Sequence, residues 1–291
     1  MDWITGLQRA IDYIEDNLTD DLDYEKIAAK ACVSSFHFQR IFSIICNYSL
    51  GEYIRSRRLT LAGAELSQGK MKVIDAALKY GYESPDSFTK AFTRFHGITP
   101  SAARGQGAGL RSFSRLSIKI SLEGGNIMDY RIERKPQFQV IGKSELFDIS
   151  DEFNRDDMPG FWRKCHEDGT VKRLFELSGE TQNSGMIFGI CCEGSSEGAS
   201  QFPYLIGAAY EGGGVPEGFT LEEIPEYTWA VFKCVGAMPK AIQNLWHQIY
   251  TEFFPASEYC PVQGIDLEAY YEGSMDNEGY ISEIWIPVEK K

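Results

Sequence analysis

The sequence predicts a two-domain chain: an all-α domain over residues 1–105, a linker with a candidate first strand over 106–126, and an α+β domain over 127–291. Three observations lead there. Apolar residues recur at helical spacing as far as residue 103 and alternate in strand fashion afterwards. Residues 105–125 are rich in Gly and Ser. The second half repeats itself weakly, KPQFQVIGKSELF at 135–147 resembling IPEYTWAVFKCVGAM at 224–238, each followed by a helix and a strand pair.

The elements follow in order. Ile4, Leu7, Ile11, Ile14 and Leu18 share a helix face; Ile27, Ala28 and Ala31 begin a second helix; Phe38, Ile41, Phe42 and Ile45 make a third. A longer amphipathic stretch from Ser49 to about Gln68 carries Arg55, Arg57 and Arg58. Helices at Val73–Tyr80 and Asp86–Phe95 are separated by Gly81, a stop signal. Leu116, Ile118, Ile120 and Leu122 alternate as in a strand. Strands are then expected at YRIERK, FQVIGK, IFGICCEG, YLIGAAYEG, TWAVFKCVG, LEAYYEG and ISEIWIPV, with helices near Phe161–Leu177 and Pro239–Phe253. Two strand-helix-strand-strand halves result.

The chain's net charge of −13 hides an uneven distribution. Residues 34–105 hold 10 Lys+Arg against 5 Asp+Glu, whereas 126–291 hold 13 against 28. The segment with the paired helices is therefore basic, and the acid is concentrated at the C-terminal end. The N-terminus has acids inside its first apolar stretch, unlike a signal peptide, and no run approaches the ~18 apolar residues of a membrane span. Seven cysteines without C-x-x-C spacing read as reduced thiols in a cytoplasm. His37, His96, His166 and His247 share no ligand spacing, so no metal or cofactor is expected.

Two short helices meeting at a tight turn need a small residue on the first, a small or left-handed residue at the turn and apolar anchors on the second. Ala28, Cys32, Val33, Phe38 and Ile41 meet these needs once, and Ala77, Gly81, Tyr82, Phe88 and Phe92 meet them again. With the Phe residues as core, Phe36, His37, Gln39 and Arg40 point outward in the first unit, and Ser87, Thr89, Lys90 and Arg94 in the second. Such helices suit the major groove, where Gln can pair with adenine and Arg or Lys with guanine.

The strings AAKACVSSFHFQRIF, GEYIRSRRLTLA and DAALKYGYESPDSFTKAFTRFHGITPSAAR make residues 7–104 resemble the DNA-binding domain of AraC/XylS transcription regulators. That resemblance implies seven helices, two helix-turn-helix subdomains and a long linker helix. By position it implies base contacts from Phe36, Gln39, Arg40, Asp86, Ser87, Thr89 and Lys90, and phosphate contacts from Arg55 and Arg57. Phe36 stands where multidrug-response relatives often have Trp, and Lys90 where they often have Arg. Pro85-Asp86 replaces a polar pair; Pro85 suits a helix start, and Asp86 is either an N-terminal cap or a cytosine reader.

In the acidic half, Glu268 and Tyr270 share one strand face, as do Glu283 and Trp285. A carboxylate among apolar residues is costly to bury unpaired, and an aromatic cavity around one suits a lipophilic cation. MDYRIERKPQFQVIGK, PEYTWAVFKCVG, DLEAYY and EIWIPV make residues 127–288 resemble a GyrI-like effector-binding domain. This implies a small-molecule pocket with Glu268 and Glu283 as carboxylates, Tyr270 and Trp285 as walls and Trp162 as a further wall. Trp229 and Trp246, in apolar periodic segments, read as core. The expected partners are double-stranded promoter DNA, a small-molecule effector of lipophilic and cationic type and, as a further candidate, RNA polymerase. A monomer is expected, because two units in one chain can read two groove segments. The alternatives are a hydrolase with Glu268 or Glu283 as general base, and a docking module whose pocket is filled.

Overall fold

The computed structural model describes residues 3–105, 107–118, 127–148, 157–178, 183–191, 201–262 and 264–291. Backbone contacts divide the chain into two compact units whose boundary departs from the one read in the sequence. One comprises 2–38 and 48–121; the other comprises 122–291 together with residue 1 and residues 39–47.

The first unit is helical: α1 (Trp3–Asp16), α2 (Tyr24–Lys30), the start of α3 (Ser35–Cys46), α4 (Leu50–Ser67), α5 (Val73–Lys79), α6 (Pro85–His96) and α7 (Pro100–Ala103). The two expected turns are built alike. Cys32 has φ 59 and Gly81 has φ 76. In each, the next amide reaches back to the first helix, Val33 N to Ala28 O at 3.4 Å and Tyr82 N to Ala77 O at 2.9 Å. These bonds satisfy the last carbonyls of α2 and α5 and turn the chain sharply. A Cβ at Gly81 would also lie 2.7 Å from Nη1 of Arg58, whose guanidinium is held by the carbonyls of Leu18 and Asp20. Ser49 and Glu52 close a capping box on α4 at 2.7 and 3.0 Å. Leu59, Ala62, Leu66, Ala77, Phe88 and Phe92 are buried together, so the aromatic side of α6 is core as expected.

Residues 108–118 form no strand. Leu116 and Ile118 were expected in one; Ile120 and Leu122 lie outside the described residues. The segment's backbone pairs instead with side chains of the helical unit: Arg111 N donates to His96 Nδ1 at 3.1 Å, Phe113 N to Thr60 Oγ1 at 2.9 Å and Leu116 N to Tyr53 Oη at 3.1 Å. Arg57 donates to the carbonyl of Phe113 at 2.5 Å. Side-chain partners one after another along the segment take the place of a strand ladder. The linker straps the helices.

The second unit carries an antiparallel sheet: β1 (Tyr130–Lys135), β2 (Phe138–Asp148), β3 (Met186–Cys191), β4 (Gln201–Tyr210), β5 (Thr220–Ile224), β6 (Tyr227–Val235), β7 (Tyr259–Pro261), β8 (Asp266–Tyr271) and β9 (Ile281–Lys290). Its order is β1-β6-β9-β8-β3-β4-β2-β5, with β7 on β9. Exchanging β1, β2, β3, β4 for β5, β6, β8, β9 reverses this order without changing it. The weak repeat in the sequence is thus a pseudo-twofold, with β3 and β8 at its centre and the first strand of each half paired with the second strand of the other. The edge strands β5 and β7 escape the sequence reading, since five and three residues are too few to show a period. The helix expected near Phe161–Leu177 is two, α8 (Asp157–Glu167) and α9 (Thr170–Leu177), broken where Gly169 takes φ 79. α10 (Lys240–Gln248) runs on into a π turn, Ile249–Phe253.

Candidate effector site and nucleic-acid helices

The centre of the sheet positions the acidic side chains. On β8, Asp266, Glu268 and Tyr270 alternate with Leu267 and Ala269, which belong to a buried core with Phe188, Trp229 and Trp285. On the other face, Trp246 of α10 donates its indole N–H to Glu268 Oε1 at 2.6 Å, and Tyr270 Oη donates to Glu268 Oε2 at 2.9 Å. Trp162 of α8 lies edge-on to Tyr270, ring centres 4.9 Å apart, and donates to Tyr204 Oη at 2.9 Å. Gly189 of β3 faces Glu268 across the ladder, and a Cβ there would strike Tyr204 Oη. The glycine is what admits the aromatic wall.

Burial raises the phenol pKa values of Tyr204, Tyr250 and Tyr270 well above the usual value, helped in Tyr204 and Tyr270 by the Glu268 charge and in Tyr250 by the Asp266 charge. They stay neutral near pH 7, and Tyr270 is the one that donates to Glu268. Burial likewise pushes the Cys191 thiol, opposite Asp266, up to about 12. Asp266 is buried and pairs with Arg40, whose guanidinium lies 4.6 Å from the Trp246 ring centre. Both residues belong to the second unit.

Glu283 and Trp285 do not join this group. In the β8–β9 register Ala269 faces Glu283 and Leu267 faces Trp285, so those two side chains lie with Leu267 and Ala269 on the opposite face from Glu268. Glu283 accepts from both Arg131 nitrogens at 2.7 and 3.1 Å and from Trp285 Nε1 at 2.8 Å. The single pocket expected to hold both carboxylates is therefore two places, because a one-residue offset in register reverses the face. Trp229 is core, as read. Trp246, also read as core, bonds the Glu268 carboxylate. Asp266, Tyr204 and Arg40 are further members that the sequence reading left out of the site. Alternation with Glu268 was the available signal for Asp266; for the other two there was none.

The groove-reading residues divide. On α6, Asp86, Ser87, Lys90 and Arg94 are exposed and Thr89 is half-buried. The cap offered to Asp86 belongs to Ser84, whose Oγ accepts from Ser87 N at 3.1 Å, with Pro85 first in the helix and Asp86 in its first turn. On α3, Phe36 is half-buried, His37 and Gln39 are buried, and Arg40 is ion-paired, so the outward orientation expected for this helix is not what the structure has. Arg55 is half-buried. Arg57, expected at phosphates, instead holds Glu15 through two nitrogens at 2.8 and 2.9 Å.

Comparison with known proteins matches residues 131–288 to the family described as integron-associated effector binding protein. Residues 27–106 match a helix-turn-helix domain. AarP, an HTH-type transcriptional activator of Providencia stuartii, is 40% identical over 109 residues, covering 38% of this chain and 81% of that protein. The chain belongs to the AraC family of DNA-binding transcription regulators and carries a GyrI-like effector-binding domain. The regulator is also 36% identical over 90 residues to the multiple antibiotic resistance protein MarA of Escherichia coli, 31% of this chain and 71% of that protein. A solved structure of SAV2435 bound to tetraphenylphosphonium aligns with TM-score 0.49 and 21% identity, over 56% of this chain and 94% of that one. Among the described residues no helix is long and apolar enough to cross a membrane.

Proposed function

We propose that this regulator reads promoter DNA through α3 and α6 and senses a lipophilic organic cation at Glu268. The observation that carries the effector reading is the setting of that carboxylate: both oxygens are held by neutral aromatic donors, Trp246 and Tyr270, beside the further ring of Trp162. Aromatic faces and a carboxylate together attract a desolvated organic cation more strongly than either alone. Glu283 is less suited, since Arg131 already neutralises it.

For DNA, the exposed Asp86, Ser87 and Lys90 with half-buried Thr89 are the second base-reading set, and Phe36, Gln39 and Arg40 the first, which requires Arg40 to leave Asp266 and the buried Gln39 to become exposed on binding. Arg55 is kept as a phosphate contact. Arg57 is not, because its guanidinium is committed to Glu15 and the linker. RNA polymerase as a partner, a monomeric state, a cytoplasmic location and release of the effector chemically unchanged belong to the same reading.

Two measurements on the whole 291-residue chain test it. With a duplex selected from a random pool, log K should fall with log salt at a slope of about −5 for some six phosphate contacts, and a slope near zero would remove the DNA reading. Tryptophan fluorescence titrated with tetraphenylphosphonium should show saturable quenching, with the compound intact by mass spectrometry. Conversion to product would make the domain a hydrolase; an unsaturable response would remove the cation reading.

A further inference from the structure

The Arg40 guanidinium is a planar, delocalised cation, and it sits where the proposed effector chemistry would place one: ion-paired to Asp266 and over the face of Trp246. The same indole donates its N–H to Glu268, so its ring face serves Asp266's partner while its edge serves the second carboxylate. Burial by itself would lower the guanidinium's hold on its proton; its surroundings, Cys191 first and then Asp266, Tyr250 and Glu268, more than reverse this. Because the neighbouring Cys191 thiol stays protonated near neutral pH, the carboxylates are left to balance the cation. Segment 39–47 groups with the effector unit, and its first residue, Gln39, is buried.

We propose that Asp266 and the face of Trp246 form a subsite for planar delocalised cations of guanidinium or amidinium type, with Arg40 as its resident occupant. This rests on the reading of Glu268 as the effector carboxylate and adds the second anionic point and its shape preference. A flat cation can stack on the indole, as the Arg40 guanidinium does, while turning its N–H edge to the Asp266 carboxylate, which Arg40 reaches through Nη1; a tetrahedral ammonium cannot do both. The occupant is also a base-reading residue of the proposed DNA helix. One guanidinium cannot pair with Asp266 and with a guanine edge at once, so an effector that takes the subsite frees Arg40 for DNA.

The test uses the whole 291-residue chain, benzamidine as the planar cation, tetraphenylphosphonium as the bulky one, and a selected duplex. Removing an internal competitor raises apparent affinity by the inverse of the fraction previously vacant. Arg40→Ala should therefore bind benzamidine about tenfold more tightly than wild type. Adding Asp266→Asn to it should abolish that gain. Arg40→Lys, the variant to use if Arg40→Ala folds poorly, should fall between, since it keeps the charge and loses the plane. In wild type, saturating benzamidine should tighten duplex binding several-fold, and the duplex should tighten benzamidine by the same factor. Asp266→Asn should bind the duplex more tightly than wild type without cation. Equal benzamidine affinity in wild type and Arg40→Ala, with tetraphenylphosphonium binding lost in Glu268→Gln, would overturn the subsite and leave the cation sensor standing. Absence of binding by either cation in every variant would overturn both.

Discussion

Glu268 and Glu283 stand on adjacent strands one residue out of register, Glu268 opposite Ile284 and Glu283 opposite Ala269, and so face opposite sides of one sheet. The first bonds Trp246 under α10; the second bonds Arg131 and Trp285 on the far face. Two acids that look equivalent in sequence have different neighbours, and the proposed function gives them different tasks.

Charge removal at each should separate those tasks. Glu268→Gln is expected to lower tetraphenylphosphonium affinity at least tenfold with little change in melting temperature. Glu283→Gln should keep cation binding and cost about 1–2 kcal/mol of stability, because it weakens a charge-assisted pair whose Arg131 end is half in solvent. Isothermal titration and scanning calorimetry on both variants check this; equal loss of binding in both would contradict the two-sided arrangement.

Gly189→Ala should damage the effector site without touching either carboxylate. The added Cβ would displace Tyr204 Oη, the acceptor of the Trp162 indole, and push against Trp162 itself at 3.3 Å. A several-fold weaker cation affinity and a shifted tryptophan emission are expected. Unchanged emission and affinity would show that Trp162 is not part of the wall.

Arg57→Ala should act on stability rather than on DNA affinity. It leaves Glu15, 8% exposed at its side chain, without its ion-pair partner and releases the carbonyl of Phe113. Loss of one member of a largely buried pair costs about 3 kcal/mol. The slope of log K against log salt should be unaltered; a slope smaller by about one would return Arg57 to the phosphates.

Acid should loosen the helical unit in two steps. His96 is buried, bonding Leu59 O through Nε2 at 2.9 Å and accepting from Arg111 N at Nδ1, which suits the neutral ring. Burial, with the Arg111 charge, lowers its pKa below the ordinary 6.5 despite the Leu59 carbonyl. The unfolded chain then binds the proton first, so stability is full above pH 6.5 and declines as pH falls below it. For Glu15, burial alone would raise the pKa, but hydrogen bonds from Arg57 and Tyr53 and the charges of Arg57 and Arg115 outweigh it, leaving it below 4.5. That contribution is present above pH 4.5 and lost as pH falls through the lowered value. Denaturant titrations from pH 7.5 to 3 should show both declines, and Arg57→Ala should abolish the lower one.

The helices, both turns and most strands were legible in the sequence because each depends on neighbours three, four or two positions away. Cys32 and Gly81 are readable as left-handed turn residues for the same local reason. The repeat that foretold two halves is local similarity as well. The face on which Glu283 lies, the bond from Trp246 to Glu268 and the strap of residues 108–118 over Tyr53, Thr60 and His96 were decided only by tertiary structure. Arg40 and Asp266 meet from 226 positions apart. No periodicity spans that distance: strand register and long-range ion pairs are settled by which apolar faces bury together, and the polar side chains take the partners that this burial brings within reach.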